Sequence, residues 1–410
     1  MTEDEPTPLA PSGGPVPNEG PEGGGGPAPE LPGGPAPELP GGPAPELRRD
    51  RRPRRWPWVA FITLAVAIAV ASRVNLDYYA LQPGVAQSVQ QFITVPADKG
   101  HPVTHPVLLT DVEIARVSAL SYLYYKLQSD TALYPLLSVT GGTPPSQLNA
   151  QGNLEMSQAE ASAKAAALRR LGYAVPASAA GAVVFATYPG TPAYGVLNVG
   201  DVIDRVDGVA VADTAGLQRV LGHYHSGQSV TLGVQRGGTG PSHPVTVRLR
   251  ATRVDLGGGQ MATLDLGVQT EDQVDFTYPF PITIQVSNIG GPSAGLAMTL
   301  GVIDELSGGS LTGGKKVAAT GTIDAQGNVG DVGGVAQKTV AVENAGATIF
   351  MVPPQEYGAA KSQQKPGLQI YAVSTLDQAL AVLAAHGGKV PPAPVAAPAV
   401  RAAPPAVPAT

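Results

Sequence analysis

The sequence predicts a mixed α/β (α+β) protein with one α/β block and one small, mostly β block, placed behind a single N-terminal apolar helix and between two low-complexity tails. Three observations predict it. From Gln269 to Leu380 short apolar runs alternate with stretches of helical spacing, the pattern of strands packed on helices. From Ala174 to Ala251 short β-branched runs are separated by Gly and Pro, as in a small antiparallel sheet. Trp56 to Ser72 carries no charge.

The chain of 410 residues begins with a tail: from Pro11 to Leu47 it is mostly Gly, Pro, Ala and Glu, and GGPAPEL recurs at Gly25, Gly33 and Gly41. This composition has too little apolar surface to offset the entropy of ordering, so residues 1–55 read as an acidic, disordered cytoplasmic tail. It ends in the basic cluster RRDRRPRR, Arg48 to Arg55. Val390 to Thr410 is nearly all Pro, Ala and Val, and residues 389–410 read as a second disordered tail.

Residues 56–72, WPWVAFITLAVAIAVAS, lie at the short end of what crosses a bilayer core of about 30 Å. Trp56 and Trp58 suit the membrane interface, and the arginines before them predict an N-terminus inside the cell membrane with everything after Ser72 outside. A cleaved signal peptide is the rival reading, because ASR is able to end an apolar core. A basic cluster also suits nucleic acid, but beside an apolar span it suits anionic head groups, and no nucleic-acid partner is expected. The net charge of -6 is small for this length, and the absence of cysteine excludes disulfides.

Residues 73–173 read as an extracytoplasmic N-terminal region in which strand-like runs give way to helical spacing. Ser157 to Tyr173 is the clearest helix predicted here: Ser157 and Glu160 have capping-box spacing, alanines fill the middle and Gly172 closes it. Residues 174–252 form the β block, with one helix predicted over Thr214 to Leu221. Its GTPA at Gly190 to Ala193, VGDVI at Val199 to Ile203 and VDG at Val206 to Gly208 resemble a bacterial PDZ domain. The resemblance implies that an extended peptide adds as a strand beside the Thr214 helix, its carboxylate on backbone amides near Gly181, Ala182 and Val183. The bland alternative is that Gly181 is a turn glycine and the block merely packs on its neighbour.

Residues 253–388 hold the α/β block and the candidate chemistry. In GGPSAGLAMTL, Gly290 to Leu300, Ser293 stands where a helix begins, so local amides and the helix dipole face whatever approaches it. A capping serine would stand there as well. None of the six histidines lies between Gln269 and Leu380, so a histidine base would have to come from outside the block. Lysine serves as base when burial disfavours the ammonium form. In GGVAQKTVAVENAG the helical spacing sets Lys338 on one stripe with Val335 and Val342, although a helix lysine of this kind more commonly snorkels to water.

Gly291-Pro292-Ser293-Ala294-Gly295, followed by the lysine of Gly333-Gly334-Val335-Ala336-Gln337-Lys338, resembles the proteolytic domain of the Lon proteases. Ala319-Thr320-Gly321 and the glycine-rich turn from Gly327 to Gly334 match the same family. The resemblance implies Ser293 as nucleophile, Lys338 as general base and Thr320 as a supporting residue that orients the lysine. Gly290 and Thr322 stand where that family usually has acids. The family's motor is missing: GSLTGGKK, Gly309 to Lys316, has Lys316 where a phosphate loop needs Ser or Thr, so no nucleotide is expected.

Apolar span, β block and protease-like block in this order resemble the ATP-independent, PDZ-containing Lon-like proteases of bacterial cell surfaces. The expectations that follow are a membrane-anchored serine endopeptidase without cofactor or metal, acting on exposed or unfolded protein segments, and a homo-oligomer that is hexameric by resemblance. The alternative is a catalytically silent, anchored peptide-binding scaffold.

Overall fold

The computed structural model describes residues 56–256, 259–286 and 290–394. The basic cluster and nearly all of both predicted tails lie outside the described residues. The apolar helix runs from Trp56 to Arg73, 18 residues with no buried side chain, and among the described residues it is the one helix long and apolar enough to cross a membrane.

A mixed sheet of six strands organises the larger domain, in the order Gln369–Ala372, Ile349–Val352, Val317–Ala319, Leu108–Ser118, Asn75–Ser88, Ala132–Pro135. The first four pair in parallel and the last three antiparallel. Side chains of these strands alternate between two cores, as a period of two requires. Leu109, Val317, Ala319, Ile349 and Met351 point to one core, which holds the helix Gly295–Leu306. Leu108, Ala318, Phe350 and Val352 point to the other, with Val335 and Val342 of the helix Val335–Asn344. The helix that follows Ser293 and the helix that carries Lys338 therefore lie on opposite faces of one sheet.

The helix Gly295–Leu306 is buried from Gly295 to Asp304, and its polar groups are satisfied locally except for Oδ2 of Asp304, which is buried without a partner. Thr299 donates to the Gly295 carbonyl at 2.9 Å, and Asp304 accepts from the Leu311 amide at 2.8 Å. The long helix Pro145–Arg170 covers it through Met156 and through Ala159, Ala163 and Ala166, whose small side chains let two helices approach closely. This helix starts twelve residues before the predicted Ser157, because Pro144-Pro145 supplies a preset first turn. Ser157 is an exposed mid-helix residue, and Glu160 accepts from the Val286 amide at 3.2 Å instead of closing a capping box. Gly172 does close the helix, at φ 88°.

The smaller domain is an antiparallel sheet in the order Val268–Phe276, Ala177–Thr187, Val202–Val206, Ser229–Gln235, His243–Arg248, over a core of Val184, Ile203, Leu232 and Leu217. Its helix is Thr214–Leu221, as the sequence predicts, capped by the Asp213 carboxylate.

Strand pairing divides the chain differently from the sequence reading. Three strands from residues 73–173 share the large sheet with the C-terminal strands, so the larger domain is assembled from both sides of the smaller one. Val268–Phe276 joins the small sheet along Ala177–Thr187, because its polar VQTEDQVDF has no continuous apolar run to bury between two helix layers. Of the expected strand in PITIQVSNI, Thr283–Ile284 pairs with Ile93–Thr94 and is the only paired part among the described residues. The chain also stays on the domain past residue 388: Lys389 donates its amide to Ser310, and Arg170 donates to the Pro391 and Pro392 carbonyls.

Candidate active site

Ser293 occupies a single 3-10 turn, Pro292–Ala294, between two glycines with definite tasks. Gly291, at φ 88°, takes a conformation that L side chains rarely adopt, and its amide donates to the Gly152 carbonyl of the long helix at 3.0 Å. Gly295 packs so tightly that a Cβ there would stand 2.9 Å from the backbone nitrogen of Ile323. The serine is half-buried and, among the described residues, its side chain caps no helix. The cap reading of Ser293 is therefore not what the structure shows.

The strand Val317–Ala319 ends at Thr320, which is fully buried. From that end the chain grips the serine turn: the Gly321 amide donates to the Ser293 carbonyl at 3.0 Å, and the Leu296 amide donates to the Gly321 carbonyl at 3.1 Å. Thr320 Oγ1 donates to the Ser293 carbonyl at 3.2 Å and accepts from Lys338 Nζ at 3.2 Å. One residue at the end of a central strand thus touches both the serine turn and the lysine, which approach from opposite faces.

Lys338 is 2% exposed and shares its buried face with Val335 and Val342, as the spacing predicts. The helix starts at Gly334, φ 70°, where a Cβ would meet Val112 at 2.8 Å. Burial pushes the lysine's pKa down to about 8, while the carboxylates of Asp111 and Glu356 act the other way. At that value about a tenth of the amine is neutral at pH 7 and half at pH 8, and a neutral amine is able to take a proton.

The structure adds residues that the sequence reading did not single out. Asp111 lies on the strand Leu108–Ser118 and accepts from the Val85 amide at 2.7 Å; an acid inside LLTDVEIARV was the only available signal. Glu356 has no sequence signal, and its raised pKa follows from burial and from Asp331. Glu155, on the long helix, places Oε2 3.9 Å from where a Cβ on Gly291 would stand. Burial and the neighbouring Glu271 raise its pKa.

Gly181, Ala182 and Val183 are placed elsewhere than expected. They lie inside the strand Ala177–Thr187, paired with Gln273, Asp272 and Glu271 on one side and, for Ala182 and Val183, with Ile203 and Val202 on the other. An interior strand leaves no loop of free amides for a carboxylate, so the expected role of these three residues is corrected. One edge of this sheet is Val268–Phe276 and the other is His243–Arg248. Val268–Phe276 is entered through Gly267 at φ 86° and tied to the Thr214 helix by a bond of 2.9 Å from the Thr214 amide to Asp272. A cleft of about 880 Å³ lies between this sheet and the long helix, lined by Gln158, Val183, Glu271 and Phe276. Among the described residues no group of three or more His, Cys, Asp or Glu is arranged to hold a metal ion.

Two family models match parts of this chain. Residues 169–247 match the PDZ domain family model, and residues 286–385 match that of the Lon protease (S16) C-terminal proteolytic domain. Lon protease 1 of Sorangium cellulosum is 32% identical over 94 residues, 22% of this chain and 11% of that protein. Lon protease of Rickettsia bellii is 29% identical over 119 residues, 28% of this chain and 15% of that protein. Lon protease of Azospirillum brasilense is 34% identical over 93 residues, 22% of this chain and 11% of that protein. The chain thus spans only a small part of the length of these relatives. Among solved structures, the PDZ domain of the SdrC-like protein from Listeria monocytogenes covers 22% of this chain and 87% of that one, at 22% identity and a TM-score of 0.18. The chain carries a PDZ domain and, over the residues that hold Ser293, Thr320 and Lys338, a serine peptidase domain of Lon type.

Proposed function

We propose that this chain is a membrane-anchored serine endopeptidase that works without nucleotide, with Ser293 as nucleophile and Lys338 as general base. The observation that carries the proposal is the contact chain from Lys338 Nζ through Thr320 Oγ1 to the Ser293 backbone, built around an amine that is 2% exposed. In the reaction Ser293 Oγ attacks the scissile carbonyl and its proton passes to Lys338. Backbone amides of the turn, which have no acceptor within the helix, stabilise the oxyanion. Lys338 then returns the proton to the leaving amine, and water attacks the acyl-enzyme with Lys338 again as base.

Independence from nucleotide is supported by the Gly309–Lys316 loop. It follows a helix, and its Gly309 and Leu311 amides are already donated to Asp304. The span Trp56–Arg73 supports anchoring, with the catalytic domain outside the membrane. The substrates in this reading are unfolded or exposed segments. The smaller domain captures them as an added strand on the edge Val268–Phe276, where one row of backbone groups is not paired within the sheet.

The test is digestion of a disordered protein by the full chain in detergent, with and without ATP, beside Ser293→Ala and Lys338→Ala. Cleavage that ignores ATP and disappears in both variants is expected, together with covalent modification of Ser293 by a serine-reactive phosphonate. Cleavage that persists in Lys338→Ala removes the proposed base.

A further inference from the structure

The helix Ala119–Lys126, ALSYLYYK, is apolar over most of its surface and has no buried residue. Leu120, Leu123, Tyr124 and Leu127, at spacing i, i+3, i+4 and i+7, are 46%, 65%, 61% and 80% exposed. Leu137, on the short helix Leu136–Thr140, is likewise 72% exposed. Helices of this length owe their stability to an apolar face packed on something, and isolated ones are marginal in water. The Ser118–Ser121 capping box fixes the start of this helix but does not cover its face.

Its position bears on what could cover it. The Ala119 amide donates to the Val74 carbonyl at 2.9 Å, and Ser118 pairs with Asn75. Arg73, immediately before, is the last residue of the apolar helix Trp56–Arg73. The exposed face therefore begins where that helix ends. Its composition suits a membrane interface: Tyr124 brings an apolar ring with a polar tip to the face, and the exposed Lys126 stands beside it, 5.8 Å from the Tyr122 ring.

We propose that Leu120, Leu123, Tyr124 and Leu127 rest in the lipid interface, so that the larger domain lies on the bilayer surface and does not hang from the span on a free tether. This rests on the reading of Trp56–Arg73 as a membrane anchor. A docked helix fixes the height and tilt of the domain over the membrane, which would favour substrates presented close to that surface.

The chain has no cysteine, so single cysteines report without background. The full chain is reconstituted in vesicles of phosphatidylcholine and phosphatidylglycerol with Leu123→Cys, Leu127→Cys, Val66→Cys or Val209→Cys, each carrying an environment-sensitive fluorophore. Brominated lipid then serves as quencher. Quenching at positions 123 and 127 is expected to exceed that at the exposed Val209 of the smaller domain several-fold and to approach that at Val66 inside the apolar helix. Quenching at 66 with none above the 209 level at 123 and 127 overturns the docked face and leaves the anchor standing. No quenching at 66 overturns both. Energy transfer between labelled copies at 123 without lipid quenching also overturns it, because a second copy of the chain would then cover the patch.

Discussion

The side-chain nitrogen of Lys338 lies 3.2 Å from Oγ1 of Thr320, whose single proton is given to the Ser293 carbonyl, also at 3.2 Å. Toward the lysine, Thr320 is thereby restricted to accepting. It holds an N–H of the amine and leaves the nitrogen lone pair of the neutral form free to take a proton.

Thr320→Val keeps the shape of the side chain and removes both bonds. The lysine loses its guide, so kcat should fall by about 100-fold with little change in KM. The ammonium form also loses an acceptor, so the pKa seen in the pH profile of kcat/KM should move down, and Thr320→Ser should restore both. A Thr320→Val enzyme with the parent's kcat and profile would show that the hydroxyl only fills space.

Because burial holds Lys338 at about 8, kcat/KM should rise with pH through about 8 and level off above it. Lys338→Arg keeps a charge and loses the base, since arginine does not deprotonate in this range. It should be inactive at every pH; measurable turnover that climbs through the same inflection would remove Lys338 from the reaction.

The same shift makes a prediction about stability. The folded amine titrates near 8 and the unfolded one near 10.5, so between these values the unfolded state binds the extra proton and stability rises with pH. At about 1.4 kcal/mol per pH unit, burying this lysine costs about 3 kcal/mol at pH 7. Lys338→Met should therefore be more stable than the parent at pH 7 by an amount of that order, and the gap should close toward pH 10. Urea midpoints at both pH values measure it, and a gap that does not change with pH would contradict a neutral buried amine.

Much of the site was legible because its chemistry is carried by short local patterns. The spacing of Val335, Lys338 and Val342 set the lysine on an apolar stripe, and Pro292 with the small residues after it set Ser293 at a helix start. What the sequence hid was long-range. Nothing in LLTDVEIARV says that Asp111 comes to lie near a lysine more than two hundred residues away, because strand pairing across the inserted domain decides it. The edge strand VQTEDQVDF was hidden for another reason: its polar alternation is that of an exposed edge, which a search for apolar runs passes over. Gly181 misled because the layout of the resembling family put the carboxylate loop there, while in place the glycine relieves a clash, a Cβ there standing 2.6 Å from the Ile203 carbonyl oxygen.

Gly295 tests how the serine turn is positioned. Replacing glycine by alanine inside a helix normally stabilises by up to about 1 kcal/mol, and Gly358, with nothing within 4 Å of its Cβ position, should behave that way. At Gly295 a Cβ would stand 2.9 Å from the backbone nitrogen of Ile323 and 3.3 Å from the Gly321 carbonyl oxygen, atoms that cannot swing aside as a side-chain end can. The overpacking cost of about 1–3 kcal/mol outweighs the helix gain, so Gly295→Ala should be less stable than the parent. The strain also falls on the Gly321–Leu296 and Gly321–Ser293 bonds that set Ser293 against Thr320, so cleavage should fall further than stability alone explains. Urea midpoints and turnover for Gly295→Ala beside Gly358→Ala separate the two effects. A Gly295→Ala protein as stable and active as Gly358→Ala would mean that the Thr322–Ile323 ribbon yields freely and does not position the nucleophile.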